Sequence, residues 1–306
     1  MDRTVRVIGA PTDYGANRRG VDMGPSAIRY AGLAAEIEAA GEMVCEDSGD
    51  LLAPRVEEEP VENGSGSVNA RYLSAVRDVN TRLGDEVAGA IEQGTLPLVL
   101  GGDHSVAIGS LQGSARDADI GVLWFDAHGD FNTPETSPSG NVHGMPLAAA
   151  LGRGYFDGLD WATAQGLDEA NVVLIGLRSL DASEREAIRD SEVTAYTMSD
   201  IDARGVSAVV DEALDIASSG VDGLHVSLDL DWLDPNEAPG VGTPVRGGVS
   251  YREAHAALEA VAKHDERYDI LRSFELVEVN PILDERNATA EMAAELAASG
   301  LGKRIL

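Results

Sequence analysis

"IGVLWFDAHGDFN" (120–132) runs six apolar or small residues directly into a carboxylate, an imidazole and a second carboxylate at alternate positions. Its first part, "IGVLWFDA" (120–127), is short, near-continuously apolar and rich in branched and aromatic residues, so it reads as a strand covered on both faces. The remainder stands where that strand would end. In an open parallel sheet, ligands bind beyond the carboxyl ends of the strands. Fold and chemistry therefore turn on whether other segments repeat the pattern.

They do. "TVRVIGA" (4–10), "LPLVLGG" (96–102), "NVVLIGL" (171–177), "GLHVSLDLD" (223–231) and "ILRSFELVEV" (270–279) share this strand character. Between them lie stretches of helical spacing at 25–40, 68–93, 206–219 and 250–264, the last opening on Ser250 and Glu253 as a capping box. "RRGVDMGPSAIRY" (18–30) reads as a loop entering a helix, with Pro25 at its first position. Repeated βα alternation predicts an α/β fold, a parallel sheet with helices on both faces, in one domain over 1–306. The acidic stretch "APRVEEEPVENGSGS" (53–67) reads as a surface loop, because the alternation resumes after it, and it matches no functional motif.

Charge narrows the partners. Fifty-three acidic residues face 23 basic ones, a formal net charge of -30, and lysine occurs only at Lys263 and Lys303. Such a surface repels nucleic acid and anionic lipid, so neither is expected as a partner. Acidic residues are spread along the whole chain, which predicts adaptation to high salt, where screening removes self-repulsion. The single cysteine, Cys45, excludes an intrachain disulfide framework and fits a reducing cytoplasm. No apolar run is long enough to span a bilayer. The start, "MDRTVRVIGAP", enters a strand-like alternation without the features of a signal peptide.

Three of the expected strands end in metal-ligand residue types: Asp103 and His104 in "GGDHS", Asp126, His128 and Asp130 in "DAHGD", Asp229 and Asp231 in "LDLD". Alternate residues of an extended segment share a face, so Asp126, His128 and Asp130 are expected to converge, as are Asp229 and Asp231. Carboxylates gathered at one sheet edge resist ionisation unless cations neutralise them. His104, Asp126, His128, Asp130, Asp229 and Asp231 are too many for one tetrahedral zinc, and suit two cations bridged by carboxylates. Oxygen-rich, thiolate-free coordination favours Mn²⁺, with Co²⁺, Fe²⁺ and Zn²⁺ left open. Two cations roughly 3.5–4 Å apart lower the pKa of a shared water, which implies hydrolysis by hydroxide.

The chain resembles the ureohydrolases and, within them, is similar to the arginases, which split L-arginine into L-ornithine and urea. The likeness rests on "GVDMGPSAIRYAGL" (20–33), "GGDHS" (101–105), "DAHGDFNTPETSPSGNVHGMP" (126–146), "SLDLDWLDP" (227–235), "GTPVRGG" (242–248) and "EVNP" (278–281), in order along nearly the whole chain. It implies a single-domain arginase-like fold, with a central, mostly parallel eight-stranded sheet, helices on both faces, and two Mn²⁺ per subunit. One cation would take His104, Asp126, Asp130 and Asp229, the other Asp126, His128, Asp229 and Asp231. Asp103 is not among the family's ligands and is left structural.

The resemblance also implies roles. Glu278 would orient the guanidinium, Asp130 would pass a proton to the leaving amine, and His143 would shuttle protons. Asn132, Ser137 and Ser139 match positions that bind the substrate carboxylate, and Asp181 and Glu184 those that hold its α-amino group. His128 and Thr243 complete the expected substrate contacts. Ser137 stands where some relatives have Thr, with the hydroxyl retained. Trp232 replaces a position often small in relatives and is expected to pack under the sheet edge. The alternatives are another amidinohydrolase on this scaffold, such as an agmatinase or guanidinobutyrase, and a catalytically silent relative that binds an amino acid; formiminoglutamases are further relatives. The arginine-reading positions favour an arginase, in the cytoplasm, assembled as a trimer or hexamer.

Overall fold

Among its described residues, the computed structural model has eight strands, β1 (Arg3–Ala10), β2 (Met43–Asp50), β3 (Leu96–Gly101), β4 (Ile120–Phe125), β5 (Leu167–Leu177), β6 (Thr194–Thr197), β7 (Gly223–Asp229) and β8 (Leu271–Val277). The helices are α1 (Gly24–Tyr30), α2 (Leu33–Glu38), α3 (Leu73–Glu92), α4 (Ala107–Ser114), α5 (Pro146–Ala150), α6 (Ala182–Arg189), α7 (Met198–Arg204), α8 (Val206–Ala217), α9 (Tyr251–Tyr268) and α10 (Ala288–Gly300). The structure describes residues 3–16, 18–41, 43–53 and 68–304. The expected acidic loop at 53–67 therefore lies, except for Ala53, outside the described residues.

All strands join one sheet in the order β2-β1-β3-β8-β7-β4-β5-β6, every neighbouring pair parallel. Side chains alternate between its faces. Leu98, Leu100, Leu123, Phe125, Val226 and Leu228 point into a core shared with α1, α2, α8, α9 and α10. Val99 and Val277 on the other face meet α3, and Val122, Trp124 and Leu174 meet α4. Burial on both faces is why the strands read as continuous apolar runs, each large side chain contributing about 1.5–3 kcal/mol.

Two strands escaped that signal because they are the edges. Most of β2, "MVCEDSGD", is exposed, and β6 is four residues long. Acidic and short edges carry no buried pattern, and they block pairing with another sheet. The helix expected over 25–40 is two helices: α1 ends at Tyr30, and Gly32, at φ 92°, turns the chain before α2. The Ser250–Glu253 capping box is present, and α9 runs on to Tyr268. The order β3-β8-β7-β4 sets the four chemistry-bearing strand ends side by side.

Candidate metal centre

At three of these ends the first aspartate turns the chain through its own backbone. Asp103 Oδ1 accepts from the Ser105 N–H at 3.0 Å, Asp126 Oδ1 from His128 N–H at 2.7 Å, and Asp229 Oδ1 from Asp231 N–H at 2.7 Å. Such Asx turns end the extended path, which corrects the expectation that alternate side chains share one face. β4 stops at Phe125, Asp130 sits at φ 49°, and residues 230–232 form a 3-10 turn. His128 and Asp130 consequently diverge around Asp126. His128 Nδ1 reaches Asp231 Oδ2 at 3.0 Å, while Asp130 Oδ2 reaches His104 Nδ1 at 3.0 Å.

Two overlapping clusters result. His104 Nδ1 also lies 3.2 Å from Asp126 Oδ2 and 3.3 Å from Asp229 Oδ2, and His128 Nδ1 lies 3.5 Å from Asp126 Oδ1. One donor atom from each of His104, Asp126 and Asp130 falls within 4.8 Å of the others, and the same holds for Asp126, His128 and Asp231. Asp126 belongs to both. The donors fit hard divalent cations: carboxylate oxygens dominate, and His104 Nδ1 is buried and facing them without a hydrogen bond of good geometry among the described residues.

Neighbouring residues fix the donors. Trp124 stacks on the His104 ring at 4.2 Å and donates its Nε1–H to Asp126 Oδ2 at 3.0 Å. Asp231 accepts from the Ala127 N–H at 3.2 Å and from the Thr243 hydroxyl at 2.8 Å. The Arg178 guanidinium donates to the carbonyls of Asp231 at 2.5 Å, Leu233 at 3.2 Å and Val245 at 2.9 Å, tying the β7 end to the 242–248 loop. Asp103 accepts from the Gly15 N–H at 3.0 Å and so holds a loop in place. Gly102 beside it has no room for a side chain, since a Cβ would stand 1.8 Å from the Thr12 carbonyl oxygen. Trp232 is buried, its ring 4.8 Å from Phe125, so it packs beneath the sheet edge and does not narrow the entrance.

A cleft opens over the clusters in two connected parts sharing His128, His143, Ser179 and Thr243, of about 230 and 390 Å³. The first part is lined by Asn132, Ser137, Ser139, Asp181 and Glu184 as well as Asp130 and His104, and the second by Glu278. Asn132 Nδ2 donates to Asp181 Oδ2 at 2.8 Å. Ser137 Oγ and Ser139 Oγ accept from the N–H groups of Gly140 and Asn141 at 3.0 and 3.1 Å, which leaves each hydroxyl proton to donate elsewhere. Glu278, at φ 66°, accepts through Oε1 from the His104 N–H at 3.0 Å and faces His143 Nδ1 at 3.1 Å. Its buried Oε2 has no hydrogen-bonding partner among the described residues.

The electrostatics follow from burial and crowding. Burial opposes charge on His104, yet Asp126, Asp130 and Asp229 raise it well above the usual histidine range. Burial likewise opposes charge on His128, and Asp231 and Asp126 override it. Burial and the Asp126 charge push Asp130 up to about 6, and burial with Asp231 and Asp126 lifts Asp229 well above the carboxylate range. Asp126 goes the other way: burial works against its charge, but the two imidazoles hold it below that range. Carboxylates crowded in this way are favoured in their charged form by positive charge beside them. Glu184 is pushed to about 8 by burial, against the Phe131 N–H and with the help of Asp130 and Asp181. His143 rises to about 9, since Glu278 outweighs its burial.

The structure thus brings His104, Asp126, His128, Asp130, Asn132, Ser137, Ser139, His143, Asp181, Glu184, Asp229, Asp231, Thr243 and Glu278 to one cleft or the cluster on its floor. The sequence reasoning missed Trp124, Arg178 and Ser179. A tryptophan two residues before the cluster aspartate Asp126 was a legible signal for the first; nothing in the sequence marked the other two.

The model of the arginase family matches residues 3–302. A protein named arginase from Bacillus subtilis (strain 168) is 52% identical over 310 residues, covering 100% of both chains. Another, from Bacillus caldovelox, is 47% identical over 313 residues, covering 99% of this chain and 100% of its own. The native structure of arginase from Bacillus caldovelox at 47% identity has a TM-score of 0.91 and covers 99% of this chain and 100% of that one.

Proposed function

The chain belongs to the arginase family, and from that premise we propose that it hydrolyses L-arginine to L-ornithine and urea with two manganese ions in the Asp/His cluster. As a ureohydrolase it acts on a linear amidine C–N bond. One observation carries the reading of the site: the unpaired, buried Oε2 of Glu278 stands in the cleft beside four carboxylates and two imidazoles. A buried anionic oxygen of this kind calls for a cation, and a planar guanidinium satisfies it with directed N–H groups.

His104, Asp126, Asp130 and Asp229 would hold one ion, and Asp126, His128, Asp229 and Asp231 the other. Two divalent ions supply what the side chains lack, a water acidic enough to serve as nucleophile near neutral pH. The residues of this chain do the rest. Glu278 binds the guanidinium and sets its central carbon towards the cluster. Asp130, on the cleft floor, hands a proton to the leaving amine. His143 exchanges protons with solvent, and a guanidinium on Glu278 lowers its affinity for its own proton, bringing it closer to neutral pH. The free hydroxyl protons of Ser137 and Ser139, with Asn132, donate to the substrate carboxylate. Asp181 and Glu184 receive the α-amino group, whose charge favours the ionised form of Glu184. Thr243 steadies Asp231 and, with His128, borders the substrate.

The same reading places one ureohydrolase domain over 1–306, in the cytoplasm, as a trimer or hexamer adapted to high salt. Side-by-side turnover tests it. Urea from L-arginine, lost on chelation and restored by manganese, with little from agmatine, is the expected result. Equal or better turnover of agmatine would overturn the carboxylate-reading roles of Asn132, Ser137 and Ser139.

A further inference from the structure

Beneath the cluster, the face of the sheet turned towards α4 carries a polar seam. His225 and Ser227 on β7 alternate with core residues Val226 and Leu228, and Ser273 and Glu275 on β8 alternate with Phe274 and Leu276. His225 stands opposite Ser273, and Ser227 opposite Glu275. Ser110 and Ser114, one turn apart on α4, close over them, and all six residues are fully buried. Ser114 meets Ser273 at 2.7 Å, and Ser273 meets His225 Nδ1 at 2.7 Å. His225 Nε2 faces Glu275 Oε1 at 3.3 Å, and the Ser110 hydroxyl donates to Glu275 Oε2. Glu275 Oε1 also lies 3.9 Å from Nε2 of His104, whose hydrogen-bonding partner at 2.8 Å is Ser227 Oγ.

A carboxylate deep in an α/β core is costly, and apolar side chains would fill the space without that cost. Its position against His104 accounts for it. An imidazole binds a cation through a lone pair, so the nitrogen facing the cluster, Nδ1, must be bare and Nε2 must carry the proton. Ser227 alone does not decide this, because its hydroxyl can either donate or accept. A negative charge near Nε2 does decide it: an N–H pointing that way is attracted, and a lone pair is repelled. We propose that Glu275 is a positioning residue for His104, its buried carboxylate keeping the imidazole proton on Nε2 so that Nδ1 is presented to the cation site. His225 and Ser110 hold that carboxylate in place. The inference rests on the metal centre proposed above.

Manganese titration of the full-length, metal-stripped chain tests it, with free Mn²⁺ followed by its electron paramagnetic resonance signal. Glu275→Gln keeps the shape and removes the charge. One of two sites is expected to weaken by roughly 10–100-fold, while the other changes by less than about twofold. His104→Asn weakens the same site, and Glu275→Gln adds no further loss in that background, a non-additivity that a general loosening of the fold would not produce. Should Glu275→Gln fail to fold, Ser110→Ala, which removes one restraint on the carboxylate, is expected to weaken the same site by a smaller factor. Unchanged affinities in every variant that folds, or a loss that simply adds to that of His104→Asn, overturn the role of Glu275. A wild-type chain that takes up no manganese overturns the metal centre, and this inference with it.

Discussion

His143 Nδ1 stands 3.1 Å from Glu278 Oε1, while the second oxygen of that carboxylate faces the cleft unpaired. One oxygen of Glu278 thus meets both His143 and the His104 N–H, and the other, without a hydrogen-bonding partner among the described residues, is the proposed partner of the guanidinium. Glu278→Gln should lower kcat/KM for L-arginine by at least about 10²-fold, the scale of losing one partner of a buried charge pair. Metal content should not change, because no cluster donor is removed. Steady-state kinetics beside metal analysis checks both, and loss of metal would make the carboxylate part of the cluster.

Asp181 has two jobs. Its Oδ2 accepts from Asn132, and its Oδ1 accepts from the Glu184 N–H at 2.9 Å, capping α6. Asp181→Ala should therefore cost about 1 kcal/mol of stability through the cap. It should also raise KM for L-arginine by roughly tenfold or more, as expected for a lost charge-assisted contact. Slow turnover of 5-guanidinopentanoate, which has no α-amino group to be read, should stay within about twofold of wild type. Parallel changes for both substrates would reduce Asp181 to a helix cap.

His255 supplies a pH signal far from the cluster. Burial lowers its pKa below the ordinary histidine value, and its Nδ1 meets Ser299 Oγ at 2.7 Å. The folded chain thus favours the neutral ring. That contribution to stability is present above the unfolded value of about 6.5 and is lost as pH falls through the lower folded value. Melting curves from pH 7.5 to 5 should show a smaller acid-side drop for His255→Asn than for wild type. An equal drop would mean that the ring carries no such linkage.

A net charge of -30 predicts a strong response to salt. Screening shortens from about 10 Å at 0.1 M to about 3 Å at 1 M, weakening repulsion across the acidic surface. The melting temperature should rise steadily with potassium chloride through the molar range. A flat profile would make the charge a matter of solubility alone.

The limits of the sequence have particular causes. Central strands were legible because burial on both faces writes a continuous apolar run, and β2 and β6 were not, because an edge strand has little buried face to write one. The cluster residues were legible as residue types, but their arrangement was not. Period-two reasoning placed Asp126, His128 and Asp130 on one point, whereas the Asx turn at Asp126 and the positive φ of Asp130 send His128 and Asp130 to opposite halves of the cluster. Arg178 stayed hidden because its contacts at the β7 end and the 242–248 loop are backbone carbonyls distant in sequence. Glu275 and His225 were read simply as part of apolar strands.

The most direct test of the account counts metal against catalysis in one titration. Metal-free chain is given manganese in steps, and bound metal per chain and urea release from L-arginine are measured on the same samples. Two overlapping clusters joined through Asp126 predict that urea release climbs until two ions are bound per chain and falls away on chelation. Full activity at a single bound ion, or activity indifferent to chelation, would contradict it.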